Sequence, residues 1–149
     1  MPDRSAASVV VADADARIEV VEHRPGVAWV ADRVAEMAER SGARVTFDKN
    51  GPAGSLGLDD THALGSVDVL TACAEFFDAA VAGRLAVRPD VVLDAAVAGA
   101  VKKVVGDRWC WSRTASAHDV TPLYGATLAV AVAKLEAEQG APSMYVFTS

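Results

Sequence analysis

Arg44–Leu56 reads RVTFDKNGPAGSL, and the interpretation of this stretch decides the fold. Val45-Thr46-Phe47 is a short β-type run that ends on a carboxylate, Asp48, and the Gly/Pro turn Gly51-Pro52-Ala53-Gly54 follows at once. Open α/β sheets bind ligands at the carboxyl ends of their strands. An acid at a strand end beside a tight turn is therefore a candidate binding group. A lone Asp there also serves simply to solvate the strand end, so the flanks carry the decision.

Upstream, Ser8–Ala12 (SVVVA) is a continuous apolar run of strand length, Asp13-Ala14-Asp15-Ala16 makes a turn, and Arg17–Glu22 (RIEVVE) reads as the returning strand of an antiparallel hairpin. His23-Arg24-Pro25-Gly26 is expected to close it, because Pro and Gly break a ladder. Val27–Arg40 is predicted helical. Val27, Val30, Val34 and Met37 recur at three- and four-residue spacing, Asp32, Arg33, Glu36 and Arg40 take the other face, and Gly42 stands where a C-terminal cap belongs. Strand, strand, helix, strand predicts a mixed sheet with at least one parallel pair.

Downstream, Lys49–Asp60 is short for a parallel crossover, so Thr61-His62-Ala63-Leu64 reads as surface loop rather than strand, and His62 has no partner at metal-ligand spacing. Asp68–Gly83 is predicted as a largely buried helix containing Phe76 and Phe77, capped by Asp68 and stopped by Gly83. Leu85-Ala86-Val87 suits a short strand. Val91–Lys103 reads as a helix whose closing Lys102-Lys103 oppose its dipole. Gly106–Arg113 (GDRWCWSR) is strand-like, with Trp109 and Trp111 on one face packing against a helix. After a small polar loop, His118-Asp119-Val120-Thr121-Pro122 opens a helix running to about Glu138. Pro122 is tolerated in its first turn, and Asp119 falls at or just before its start, where it also serves as an N-cap. The tail Gly140–Ser149 is expected to be weakly ordered.

A chain of 149 residues with 52% hydrophobic and 23% charged residues suits one globular domain with a real core. The net charge of −6 excludes a generally basic nucleic-acid coat. Charge is unevenly spread, however. Between Arg84 and Arg113 stand six Lys/Arg and three acids, a local +3 that leaves −9 for the remainder. Such an island suits either a phosphate-facing surface or a solvated helix face. Cys73 and Cys110 have no paired spacing and, with no secretory signal or membrane-length apolar run, predict a reduced, soluble, cytoplasmic protein. The GxxxxGK[ST] and GxGxxG loops, HExxH, Cys/His clusters and the GxSxG elbow are all absent from the sequence.

The stretches FDKNGPAGSL, SVDVLTACAEFFDAAVAGRL, LDAAVAGAVKKVVGDRWCWSR and HDVTPLYGATLAVA, in this order and spacing, resemble the C-terminal nuclease domain of the large terminase subunit of tailed double-stranded DNA phages, of the type common in actinobacterial phages and prophages. The resemblance covers residues 2–133 and takes the nuclease-like domain to about residue 139, with 140–149 as a tail. It implies an α/β, RNase H-like mixed sheet flanked by helices. It also implies a Mg²⁺- or Mn²⁺-dependent endonuclease that cuts concatemeric DNA during genome packaging in the bacterial host cytoplasm, its partners being double-stranded DNA, a terminase ATPase portion, the small terminase subunit and the portal. By position, Asp48 and Asp119 match acids that ligate metal, with Asp3 a weaker third. Lys102, Lys103, Arg108 and Arg113 then become candidates for the DNA backbone. Phosphodiester hydrolysis by metal ions needs such hard oxygen donors, brought together from separate elements.

The same resemblance leaves the first, central strand and its leading acid out of this chain, Asp3 standing a few positions beyond that ligand. A sheet without that strand has a gap of ~9.5 Å, two strand spacings, which backbone hydrogen bonds cannot cross. Either Ser8–Ala12 repacks beside Val45–Asp48 or another strand is supplied. A non-enzymatic α/β interaction or DNA-binding module is the rival expectation.

Overall fold

The apolar run near the start of the chain becomes the strand that the other layers pack around. In the computed structural model the described residues are 6–12, 17–41, 45–50, 54, 56–58, 63–113, 115–117, 119–137 and 145–148. Along the chain the elements are β1 (Ala6–Ala12), β2 (Arg17–Pro25), α1 (Val30–Ser41), α2 (Ser66–Val81), β3 (Ala86–Val87), α3 (Val91–Gly99), β4 (Lys102–Val105), β5 (Arg108–Trp111), α4 (Thr121–Ala137) and β6 (Tyr145–Thr148). The fold is mixed α/β: a four-stranded sheet ordered β3-β2-β1-β6 and a separate two-stranded sheet of β4 and β5.

β1 and β2 form the expected antiparallel hairpin, but the ladder runs further than the sequence predicts, pairing Pro25 with Ala6. Pro25 takes the last position of β2, where a missing N–H breaks no interior ladder. Gly26 then turns the chain at φ 76°. The register shifts between Val9 and Val10, so that Val21 is an extra residue on β2. In the register kept by Val10, Val11 and Ala12, Ser8 would face Glu22; the bulge sets it opposite His23 instead.

Two of the expectations for the sheet are corrected. The parallel pair joins β2 to β3, with Arg17 opposite Ala86, whereas Val45–Phe47 forms no strand and leads to a single parallel bridge between Asp48 and Leu64. Leu64 N–H donates to Phe47 O at 2.8 Å and Lys49 N–H to Leu64 O at 3.0 Å, so the crossover does close despite its shortness. Part of the C-terminal tail is ordered into the sheet: β6 pairs antiparallel with β1, Ala7 opposite Thr148 and Val10 opposite Tyr145. The neighbour of β1 on that side thus comes from the far end of the chain.

Alternation along β1 divides the core. Ala7 and Val9 meet α1 through Val30 and Val34, with Val45 and Phe47 completing an all-apolar cluster. Val10 and Ala12 face the other way, into a larger cluster built on α2, α3, β5 and α4. α4 is buried on all sides from Thr121 to Ala129 and packs against β1, β2, β6, α2 and α3. A helix apolar all round belongs in the middle of a core, and here it does.

Helix ends follow local chemistry, with two corrections. α2 starts at Gly65, which offers no side-chain cap, and Asp68 lies in the first turn, where its charge opposes the helix dipole. It ends as the sequence predicts: Gly83 at φ 71° completes a Schellman arrangement, with Arg84 N–H donating to Ala79 O and Gly83 N–H to Ala80 O. α3 is capped by Asp90, whose carboxylate accepts from Leu93 N–H at 3.0 Å. α3 stops at Gly99, so Lys102 and Lys103 are not in a last helical turn but open β4. β-branched Val104 and Val105 find partners in β5, and that pairing overrides the helical pattern. Gly106, at φ 65°, begins the two-residue turn between these strands.

Candidate functional site

A cleft of about 600 Å³ opens between the segment after Phe47, the start of α2, the β4–β5 hairpin and α4. Asp48 and Asn50 line one wall, Ser66 the helix start, Lys103 and Cys110 the hairpin, and Arg113 and Tyr124 the floor. Asp48 is half-buried, and its Oδ1 accepts the Asn50 N–H at 2.9 Å, a turn that fixes the carboxylate at the end of the bridged segment. Asn50 Nδ2 in turn donates to Ser66 Oγ at 3.0 Å and ties that turn to α2.

Arg113 is the cation at the floor. Its guanidinium stacks 4.2 Å from the centroid of the Tyr124 ring. Burial lowers its pKa below the usual arginine value, while Tyr124, Asp48, Cys110 and Asp119 each favour the charged form. Of the two candidate acids only Asp48 lines the cleft. The Tyr124 hydroxyl donates to Trp111 O and, pushed upward by burial, stays protonated. Burial pushes the Cys73 thiol up to about 12, so it behaves as a core group.

Asp119 precedes α4, where the sequence predicts it. Its Oδ1 accepts the Thr121 N–H at 2.9 Å, satisfying one of the free donors of the helix start. Its Oδ2 lies 3.7 Å from His23 Nε2. The His23 Nδ1 is 2.6 Å from Ser8 Oγ, which is 3.0 Å from Thr121 Oγ1. Serine, histidine and aspartate in sequence suggest a nucleophilic triad, but the geometry excludes one. Ser8 is 0% exposed and Thr121 1%, so the hydroxyl lies under α4 with no face open to a substrate.

The other predicted residues divide. Lys103 and Arg113 share the cleft with Asp48. Lys102 is on the opposite face of β4, its ammonium 3.8 Å from the Phe77 ring centroid and 4.3 Å from that of Trp109. Arg108 donates to Thr71 Oγ1 at 2.7 Å and so braces the hairpin on α2. Trp109 and Trp111 share a face as predicted, their rings 4.8 Å apart, with the Trp111 Nε1–H donating to Thr127 Oγ1. Phe77, read as buried, is 38% exposed and lies under Lys102. Asp3, Thr61, His62, Gly42 and the Asp13–Ala16 turn lie outside the described residues. Among the described residues no group of three or more His, Cys, Asp or Glu is gathered as a metal cage, and no helix is long and apolar enough to cross a membrane.

Sequence reasoning passed over Ser8, His23, Asn50 and Ser66. Asn50 and Ser66 carry the ordinary signals of a turn and a helix start. For Ser8 and His23 the only signal is the hairpin register, and the bulge at Val21 alters it. In comparisons with known proteins, no family model, curated protein or solved structure matches this chain.

Proposed function

We propose that this chain is a nuclease-type domain of RNase H-like fold, similar to that of the large terminase subunit, acting on DNA through Mg²⁺ or Mn²⁺ at Asp48 and Asp119. The observation that carries the reading is the place of Asp48, half-buried in a cleft that also holds Lys103 and Arg113. Asp48 ends a bridged extended segment, and Asp119 stands before the start of a helix, 71 positions on in sequence.

In this reading two carboxylates are the protein donors offered to a hard cation. Magnesium is commonly held by one or two carboxylates, with waters and substrate phosphate completing its shell. Asp48 and Asp119 supply that number, and each has one oxygen oriented by a backbone N–H. When bound, the ion would polarise the phosphodiester as a Lewis acid and favour deprotonation of an attacking water. The chain's own residues do the rest. Lys103 and Arg113 give the cleft positive charge for a sugar-phosphate backbone, which binds without choosing sequence. Asn50 and Ser66 hold the Asp48 turn against α2. An ATPase portion, a small subunit and a portal are the partners that this function requires for packaging.

Purified protein incubated with supercoiled plasmid and Mn²⁺ is expected to yield open circles. Asp48→Asn and Asp119→Asn should each reduce nicking to background while gel-shift binding persists. Lys103→Ala should flatten the dependence of log Kd on log salt by about one phosphate's worth, ~0.9. Binding without nicking in either metal would leave the DNA-binding module as the function. Neither binding nor nicking would sink both.

A further inference from the structure

We propose that His23 is a positioning residue for Asp119, its ring held in one tautomer by the Ser8 hydroxyl so that Nε2–H faces the carboxylate; the inference rests on the reading of Asp119 as a ligand given above. Four side chains from three elements and the segment before α4 close a ring. Thr121 N–H donates to Asp119 Oδ1 at 2.9 Å. Asp119 Oδ2 is 3.7 Å from His23 Nε2. His23 Nδ1 is 2.6 Å from Ser8 Oγ, and Ser8 Oγ is 3.0 Å from Thr121 Oγ1. The ring begins and ends on Thr121.

The donor order follows from the acceptors. A carboxylate oxygen only accepts, so the charge beside it favours the tautomer with hydrogen on Nε2. In the neutral ring Nδ1 is then a lone pair, and Ser8 Oγ–H must donate to it. Ser8 is left as the acceptor for the Thr121 hydroxyl. Each hydroxyl hydrogen then runs the same way round, toward Asp119. The opposite order would set the Nε2 lone pair against a negative oxygen.

The contact at 3.7 Å is electrostatic and longer than a hydrogen bond. Asp119 keeps partial exposure, 35% for its side chain, whereas Ser8 is wholly buried. The buried end of the ring is therefore the fixed one, and the exposed carboxylate is what it steers. Hydrogen-bonded partners behind a metal ligand commonly change affinity by ~10–100-fold, and this longer contact is expected at the low end of that range. The bulge at Val21 is what makes this possible here, because without it Ser8 would face Glu22.

The test combines metal-free NMR with Mn²⁺ binding followed by electron paramagnetic resonance. In metal-free protein at alkaline pH, ¹⁵N chemical shifts of His23 should show Nε2 protonated and Nδ1 unprotonated. In Ser8→Ala that pattern should shift toward the mixed tautomers of a free imidazole. Mn²⁺ binding should weaken about tenfold in His23→Ala and recover in His23→Gln, whose side-chain N–H reaches the same place. Circular dichroism melting of each variant identifies those that fail to fold; if His23→Ala does not fold, His23→Phe takes its place. An Nδ1–H tautomer in the wild-type protein overturns the inference. So does unchanged Mn²⁺ affinity in folded His23→Ala or His23→Phe when Asp119→Asn has lost it. If Asp119→Asn itself keeps full Mn²⁺ affinity, the metal-ligand reading of Asp119 fails, while the tautomer result still stands or falls separately.

Discussion

The two sides of β1 are built on different terms. Toward α1, Ala7 and Val9 pack with Val30, Val34, Val45 and Phe47, and Thr46 between the last two is also fully buried. Toward α4, Val10 and Ala12 share their face with Ser8, and the helix opposite contributes Thr121 and Thr127 as fully buried hydroxyls. Each of those hydroxyls is spoken for: Thr121 by Ser8, and Thr127 by the Trp111 indole and the Leu123 carbonyl. An apolar layer needs only volume, whereas a polar one needs partners in fixed directions. The candidate site lies on the α4 side, where direction is already specified.

The widest separation between the two sides should appear on cutting side chains back. Leu123→Ala, at a residue 1% exposed against α4's neighbours, should lower stability by about 2–5 kcal/mol. Val34→Ala on the α1 side should cost about 2 kcal/mol, from two buried carbons and a small cavity. Urea midpoints of the two variants measure the difference, and equal losses would erase the distinction in size. Next, Thr127→Val keeps the shape but strips the acceptor from the Trp111 Nε1–H, which should cost about 1–3 kcal/mol. A neutral result in thermal melting would show the α4 side to be no more directional than its counterpart.

The smallest effect is invisible at neutral pH. The Cys73 thiol, pushed by burial from an ordinary 9.0 to about 12, stays protonated in the fold after the unfolded chain has begun to ionise. Its folded value is the raised one, so its contribution is complete below about pH 9 and is lost as pH rises toward about 12. Tyr124, raised in the same direction, adds to the loss. Melting temperatures across that alkaline window should fall less steeply in Cys73→Ala than in the wild type; parallel curves would count against a buried thiol on this side.

Much of the fold was legible where a signal is local. The three- and four-residue spacing of Val30, Val34 and Met37 announced α1, Gly83 announced the end of α2, and Asp119-Val120-Thr121-Pro122 announced the start of α4. The failures share another cause. Val91–Lys103 has one continuous helix-compatible composition, and only the presence of β5 draws Lys102 and Lys103 into a strand. Tyr145–Thr148 reads as a tail until β1 offers it an open edge. At the site, Asp48 and Asp119 were visible as acids at a segment end and a helix start, and Arg113 as a candidate for the phosphate backbone. That Asp48 shares a cleft with Lys103 and Arg113 was not visible.

Sequence alone determined the hairpin of β1 and β2, the three helix signals just named, and the identity of the acids, because period, cap and turn chemistry act within a few residues. Tertiary structure alone decided that a bulge at Val21 sets Ser8 opposite His23, that β6 pairs with β1, and that Asp48 shares a cleft with Lys103 and Arg113. Register is a property of two strands together, and a cleft is lined by groups from distant parts of the chain. Neither is written at any single position.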